Sequence, residues 1–191
     1  MSNKNKSEFN IKDAFVIPNI LCYIRIILIP IFVITYLKAT DLKDYYVASA
    51  IIILSGLTDF ADGYIARRFN MVTEIGKLID PVADKLSQAA ILLVLMIKIE
   101  YMYLFVILFV IKELFMAINK YVLFRRGKKL DVAQWYGKVS TAVFYVAMVV
   151  IILMPTLGTV WVNTLVVISA GFMILSLVMY GIEFNKMYKV G

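Results

Sequence analysis

The chain has 191 residues, 62% of them hydrophobic, against roughly 45–50% in an ordinary soluble domain, so its composition is that of an integral membrane protein. It has no histidine and one cysteine, which excludes an imidazole base or ligand, an intramolecular disulfide and a cysteine-based metal cluster. A net charge of +7 in so apolar a chain points to cytoplasmic loops and anionic headgroups, not to nucleic acid.

The opening residues, MSNKNKSEFNIKD, are polar and end in no small-residue cleavage site, and the apolar run after them is of full length. This predicts a retained first helix, not a removed signal peptide. Residues 1–16 are expected to form a cytoplasmic or interfacial segment, with a short interfacial helix over 11–17. A first span follows over 20–37, with Pro18 near its start, Arg25 inside it and Pro30 expected to bend it. Loop 38–44 leads to a second span over 46–65, and loop 66–76, carrying Arg67, Arg68 and Asn70, leads to a third over 77–97. Lys98 and Glu100 mark a turn before a fourth span at 101–124. The most polar loop, 125–134, precedes a fifth span at 135–154, and a turn at 155–158 precedes a sixth at 160–182. The expected fold is therefore a single all-α domain over 1–191, an integral membrane bundle of six transmembrane helices. Twelve lysines and arginines of the tails and loops fall on the side of the N-terminus and three on the other. That bias predicts that both termini are cytoplasmic. Trp135, Trp161, Tyr101 and Tyr103 are expected to be interfacial anchors.

Four aspartates interrupt the apolar runs. Asp59 and Asp62 stand at i and i+3, and Asp80 and Asp84 at i and i+4, so each pair shares one face of its own helix. A carboxylate at the centre of a span costs about 2.5–3.5 kcal/mol, and a deeply placed cluster would cost on the order of 10 kcal/mol. A divalent cation offsets that cost directly, and hard oxygen ligands favour Mg²⁺, Mn²⁺ or Ca²⁺. Gly56, Ala61, Gly63, Ala66, Gly76 and Ala83 allow close helix approach and leave room for a flat ligand. Arg67 follows Asp62 by one short turn, where a guanidinium can clamp a phosphate. Metal ions and an arginine acting on phosphates are the parts of a phosphoryl-transfer site. Arg25, Lys112 and Lys138 are intramembrane cations and functional candidates on that ground. The alternative from another class is a divalent-cation transporter. It is disfavoured because the aspartates cluster near one face and the other spans add no acidic ladder beyond Glu113.

Asp59, Asp62-Gly63, Ala66-Arg67, Gly76, Asp80 and Asp84 follow the pattern D-x2-D-G-x2-A-R-x8-G-x3-D-x3-D, which resembles the signature of the CDP-alcohol phosphatidyltransferases. The resemblance extends to the six-span layout of the whole chain. It implies that Asp59, Asp62 and Asp80, helped by Asp84, hold a pair of Mg²⁺ or Mn²⁺ ions, and that Gly63, Arg67, Thr73 and Gly76 line the site of the cytidine nucleotide and its diphosphate. It also implies that Asp84 is the general base for the acceptor alcohol, with CDP-diacylglycerol as donor, CMP as leaving group and phospholipid biosynthesis as the purpose.

Residues 17–30, with Pro18-Asn19, Leu21, Arg25 and Pro30, are similar to the opening I-P-N-x-L-T-x2-R-x4-P of bacterial phosphatidylglycerophosphate synthases and CDP-diacylglycerol-dependent cardiolipin synthases, with Cys22 in place of threonine. Lys112-Glu113 resembles an Arg-Glu pair of the fourth span, keeping the charge but not the two-pronged geometry. Gly137-Lys138 with Thr141 resembles a G-K-x-x-T motif. These similarities imply glycerol 3-phosphate as acceptor, bound by Arg25, Lys112 and Lys138, to give phosphatidylglycerophosphate. The alternative acceptor is phosphatidylglycerol, giving cardiolipin. A homodimer in a bacterial-type cytoplasmic membrane is the further expectation.

Overall fold

The computed structural model describes residues 14–127 and 134–189, and every regular element among them is helical. The described residues form six α-helices: α1 (Ile17–Lys38), α2 (Leu42–Arg68), α3 (Glu74–Lys98), α4 (Met102–Arg125), α5 (Trp135–Leu153) and α6 (Thr159–Lys189). An all-helical chain meets the demand of a bilayer that each backbone polar group be satisfied within its own segment. Helices α1, α2, α4, α5 and α6 are long and apolar enough to cross a membrane, so the protein is a multi-pass membrane protein. Helix α3 is long enough, but it carries Asp80, Asp84 and Lys85 in its first half and is not among the five.

The helix ends follow from local chemistry. Helix α1 starts three residues before the predicted span, with Pro18 in its first turn, and it continues through Pro30 to Lys38. The expected interfacial helix lies mostly outside the described residues. Helix α2 is capped by Asp44, whose carboxylate accepts hydrogen bonds from the backbone N–H groups of Thr40 at 3.0 Å and Asp41 at 3.3 Å. Its other end runs past the predicted boundary, so Arg67 and Arg68 stand in its last turn, where cations complement the helix dipole. Asn70 then takes the left-handed conformation, φ 52°, which asparagine tolerates better than most residues. The Thr73 hydroxyl accepts the N–H of Gly76 at 2.9 Å and so caps α3. Helix α6 continues through the predicted tail, placing Lys186 and Lys189 in its last turn.

The chain forms two compact units, 1–94 and 95–191. In the first, α1 packs along α2 around buried Cys22, Phe32, Tyr36, Ala48 and Ile52. In the second, α6 packs against α4 and α5, and Met116, Leu123, Tyr136, Tyr180 and Phe184 form a core. Tyr136 and Tyr180 meet edge to face at 4.7 Å. Gly137 makes room for Tyr180, because a Cβ there would run into the tyrosine hydroxyl. Exposed Ile24, Ile27, Ile31 and Ile34 on α1, and Ile107, Ile111, Leu114 and Ile118 on α4, suit contact with acyl chains. Trp135 and Trp161 are exposed at the starts of α5 and α6.

Candidate active site

The first unit assembles most of the predicted site. Cys22 and Arg25 stand three residues apart on α1, Asp59 and Asp62 three apart on α2, and the two pairs meet. Arg25 Nη1 lies 2.7 Å from Asp59 Oδ1 and 3.2 Å from Asp80 Oδ1 of α3, while Nη2 is paired with Asp62. The Cys22 thiol donates to Asp62 Oδ2 at 3.2 Å. Arg25 is 1% exposed and the Asp62 side chain 4%, whereas those of Asp59 and Asp80 are about half exposed, at 47% and 50%. Two carboxylates thus open outward while the third and the guanidinium are buried beneath them.

A cavity of about 120 Å³ borders this cluster, and Asn19, Cys22, Asp62, Gly63, Thr73, Gly76 and Asp80 are among its lining residues. Three of the four predicted nucleotide-binding residues therefore share one wall system with two of the predicted metal ligands. The fourth, Arg67, reaches back along α2, with Nη2 at 3.5 Å from where a Cβ on Gly63 would be. Asp84 lies one turn beyond Asp80. Both of its oxygens accept from the Gln88 side-chain amide at 3.1 Å, and Lys85 Nζ lies 3.8 Å from Oδ2. Lys85 also donates to Gln88 Oε1 at 3.2 Å.

Arg25 is thus found among the aspartates. Lys112 and Lys138 belong to the second unit: Lys112 is buried with Nζ 3.5 Å from Glu113 Oε1, and Lys138 is exposed near the start of α5. Sequence reasoning assigned no role to Asn19 or Gln88. The Asn19 amide donates to Thr73 Oγ1 at 3.0 Å, joining α1 to the cap of α3, and both Asn19 and Gln88 are buried. The available signal was a polar side chain within an apolar run, four residues past Asp84 for Gln88 and next to Pro18 for Asn19.

The donor set fits a hard divalent cation. Three carboxylates converge on one guanidinium, an arrangement that leaves an excess of two negative charges when all are ionised. Oxygens of Asp62 and Asp80 and the sulfur of Cys22 lie within 4.8 Å of one another. The thiol is a poor match for an oxygen-seeking ion, and it is already used as a donor to Asp62. The aspartates are therefore the residues suited to hold the ion.

Residues 15–180 match the family model of the CDP-alcohol phosphatidyltransferases. The chain is similar to the CDP-diacylglycerol–glycerol-3-phosphate 3-phosphatidyltransferase of Escherichia coli K12, with 35% identity over 155 residues, 78% of this chain and 81% of that protein. The protein of the same name from Haemophilus influenzae is 31% identical over 133 residues, 66% of this chain and 70% of the relative. That of Rickettsia bellii is 39% identical over 82 residues, 43% of this chain and 45% of the relative, so the chain spans about half the length of that protein.

Proposed function

The chain belongs to the CDP-alcohol phosphatidyltransferase family, and from that premise we propose that it transfers the phosphatidyl group of CDP-diacylglycerol to glycerol 3-phosphate, releasing CMP and forming phosphatidylglycerophosphate. The observation that carries the reading is the convergence of Asp59, Asp62 and Asp80 on one point, beside a cavity lined by Gly63, Thr73 and Gly76. The names borne by the relatives from E. coli and H. influenzae support the donor and the acceptor.

Asp59, Asp62 and Asp80, with Asp84, would hold a pair of Mg²⁺ or Mn²⁺ ions, which supply Lewis-acid neutralisation of the diphosphate. Gly63 and Gly76 keep the cavity wall low for the nucleotide. Arg67, at the end of α2, pairs with a phosphate oxygen. Asp84 takes the proton of the acceptor hydroxyl, while Gln88, bonded to both carboxylate oxygens, fixes its orientation. The acceptor oxygen then bonds to the lipid-bearing phosphorus, the bond from that phosphorus to the bridging oxygen breaks, and CMP departs with the electron pair. Arg25, Lys112 and Lys138 are each proposed, by their positive charge, as candidates to attract the phosphate of the acceptor. The charge bias of the loops supports a six-span arrangement that includes α3, with the site open to the cytoplasm of a bacterial-type membrane.

The test is incubation of the purified protein with CDP-diacylglycerol and Mg²⁺ or Mn²⁺ in the presence of glycerol 3-phosphate, phosphatidylglycerol, serine or inositol phosphate, followed by identification of the lipid. CMP release with glycerol 3-phosphate is expected. Product with phosphatidylglycerol alone would replace this reading by cardiolipin synthesis. Asp84→Asn is expected to lower CMP release by about 10²–10⁴-fold while nucleotide-lipid binding is retained, and full turnover by that variant would remove Asp84 from its role.

A further inference from the structure

Arg25 is held by the same carboxylates that suit the divalent ions. Its Nη1 bridges Asp59 and Asp80, and its Nη2 is paired with Asp62. The side chain is 1% exposed, so it is no surface counter-ion that drifts away in salt. Its remaining donor, Nε, is buried and has no hydrogen-bond partner, so the guanidinium is not fully satisfied where it lies. The helical register fixes this arrangement, because Arg25 and Cys22 occupy the face of α1 that meets Asp59 and Asp62 of α2, and Cys22 bonds the same Asp62 oxygen as Arg25.

We propose that Arg25 competes with the divalent cation for the oxygens of Asp59, Asp62 and Asp80, and thereby sets the metal affinity of the site. A cation of charge +1 placed among three carboxylates lowers the field available to a second cation. It also holds the three like charges together when they would otherwise repel. Arg25 is thus a positioning residue that keeps the acidic cluster assembled and tunes how readily it loads. The inference rests on the divalent-metal part of the proposed function, but its test requires no turnover.

The experiment is titration of the full-length, detergent-solubilised protein with Mn²⁺ alone, following free Mn²⁺ by electron paramagnetic resonance, for the wild type, Arg25→Gln and Arg25→Lys. Arg25→Gln is expected to bind Mn²⁺ about tenfold or more tightly than the wild type, and Arg25→Lys, which keeps the charge, to stay near the wild type. Melting of Arg25→Gln is expected to depend strongly on Mn²⁺ and that of the wild type weakly, which reads the same competition should the variant be stable only with the ion bound. Unchanged or weaker Mn²⁺ binding by Arg25→Gln, or a wild type equally sensitive to EDTA in melting, would overturn the inference while leaving the metal site in place. Absence of Mn²⁺ binding to the wild type would overturn both.

Discussion

Gly76 shows how closely the cavity wall is built. A Cβ at this position would fall 2.6 Å from Asn19 Oδ1 and 3.1 Å from Thr73 Oγ1, and Asn19 cannot swing out because it is 1% exposed and bonded to Thr73. Gly76→Ala is therefore expected to destabilise the protein by about 1–3 kcal/mol in melting experiments, and to raise KM for CDP-diacylglycerol because the added methyl stands in the wall of the cavity. Gln88 bears on the other side of the chemistry. Removing its amide leaves the Asp84 oxygens without the donor that orients them, so Gln88→Leu is expected to lower kcat by about tenfold with little change in KM for the donor lipid. A loss confined to KM would remove Gln88 from that role. Asp59, Asp62, Asp80, Gly63 and Gly76, which the structure gathers around one cluster and cavity, were legible in the sequence because their spacing along two successive helices is itself the signal. The place of Arg25 was not: its partners Asp62 and Asp80 lie 37 and 55 positions away, and neither periodicity nor charge counting pairs side chains across such separations. The Asn19–Thr73 bond, 54 positions apart, was hidden for the same reason.

At the level of elements, the hydrophobic runs located all six helices, with every end within four residues except that of α6, which runs seven residues past the predicted span, because burial in lipid and closure of backbone hydrogen bonds both follow the apolar stretch. The deviations fall at the polar ends, where capping and dipole effects extend a helix beyond its apolar part. Helix α2 gains Arg67 and Arg68 in this way, and α6 gains Lys186 and Lys189. The start of α3 matters most for function, since it sets the register of Asp80 and Asp84. Thr73 caps it through the Gly76 N–H and is tied to α1 through Asn19. Thr73→Val removes the oxygen that makes both contacts at nearly constant side-chain size. It is expected to cost about 1 kcal/mol in melting from the lost cap, whereas Thr73→Ser, which keeps the oxygen, should restore most of it. If the valine variant melted like the wild type, the α3 cap would have no energetic part in placing the aspartates.

For the molecule as a whole, a crossing by α3 would change the side of every later loop, so the parity of the crossings makes it testable. The helix is 25 residues long, about 37 Å at 1.5 Å per residue; its second half is apolar up to Lys98, and its first half carries the exposed Glu74–Lys77 pair as well as Asp80, Asp84 and Lys85. If α3 crosses, the loops after α1, α3 and α5 share one side, and those after α2 and α4 share the other. If it lies along the interface, the loop after α3 joins the one after α2, and every later loop changes sides. The loop charges favour the first arrangement, which puts twelve basic residues on one side against three, whereas shifting the loops after α3 would put the basic 125–134 segment outside. The single native cysteine is 2% exposed, so cysteines introduced at Thr40, Glu100, Gln134 and Thr156 can be read against a low background with a membrane-impermeant maleimide on intact cells. Thr40→Cys, Glu100→Cys and Thr156→Cys are expected to label from outside, and Gln134→Cys only after permeabilisation. Labelling of Thr40→Cys and Gln134→Cys from outside with protection of Glu100→Cys would mean five crossings. That result would withdraw α3 from the bilayer and leave its aspartates at the interface, where no cation is needed to offset their insertion.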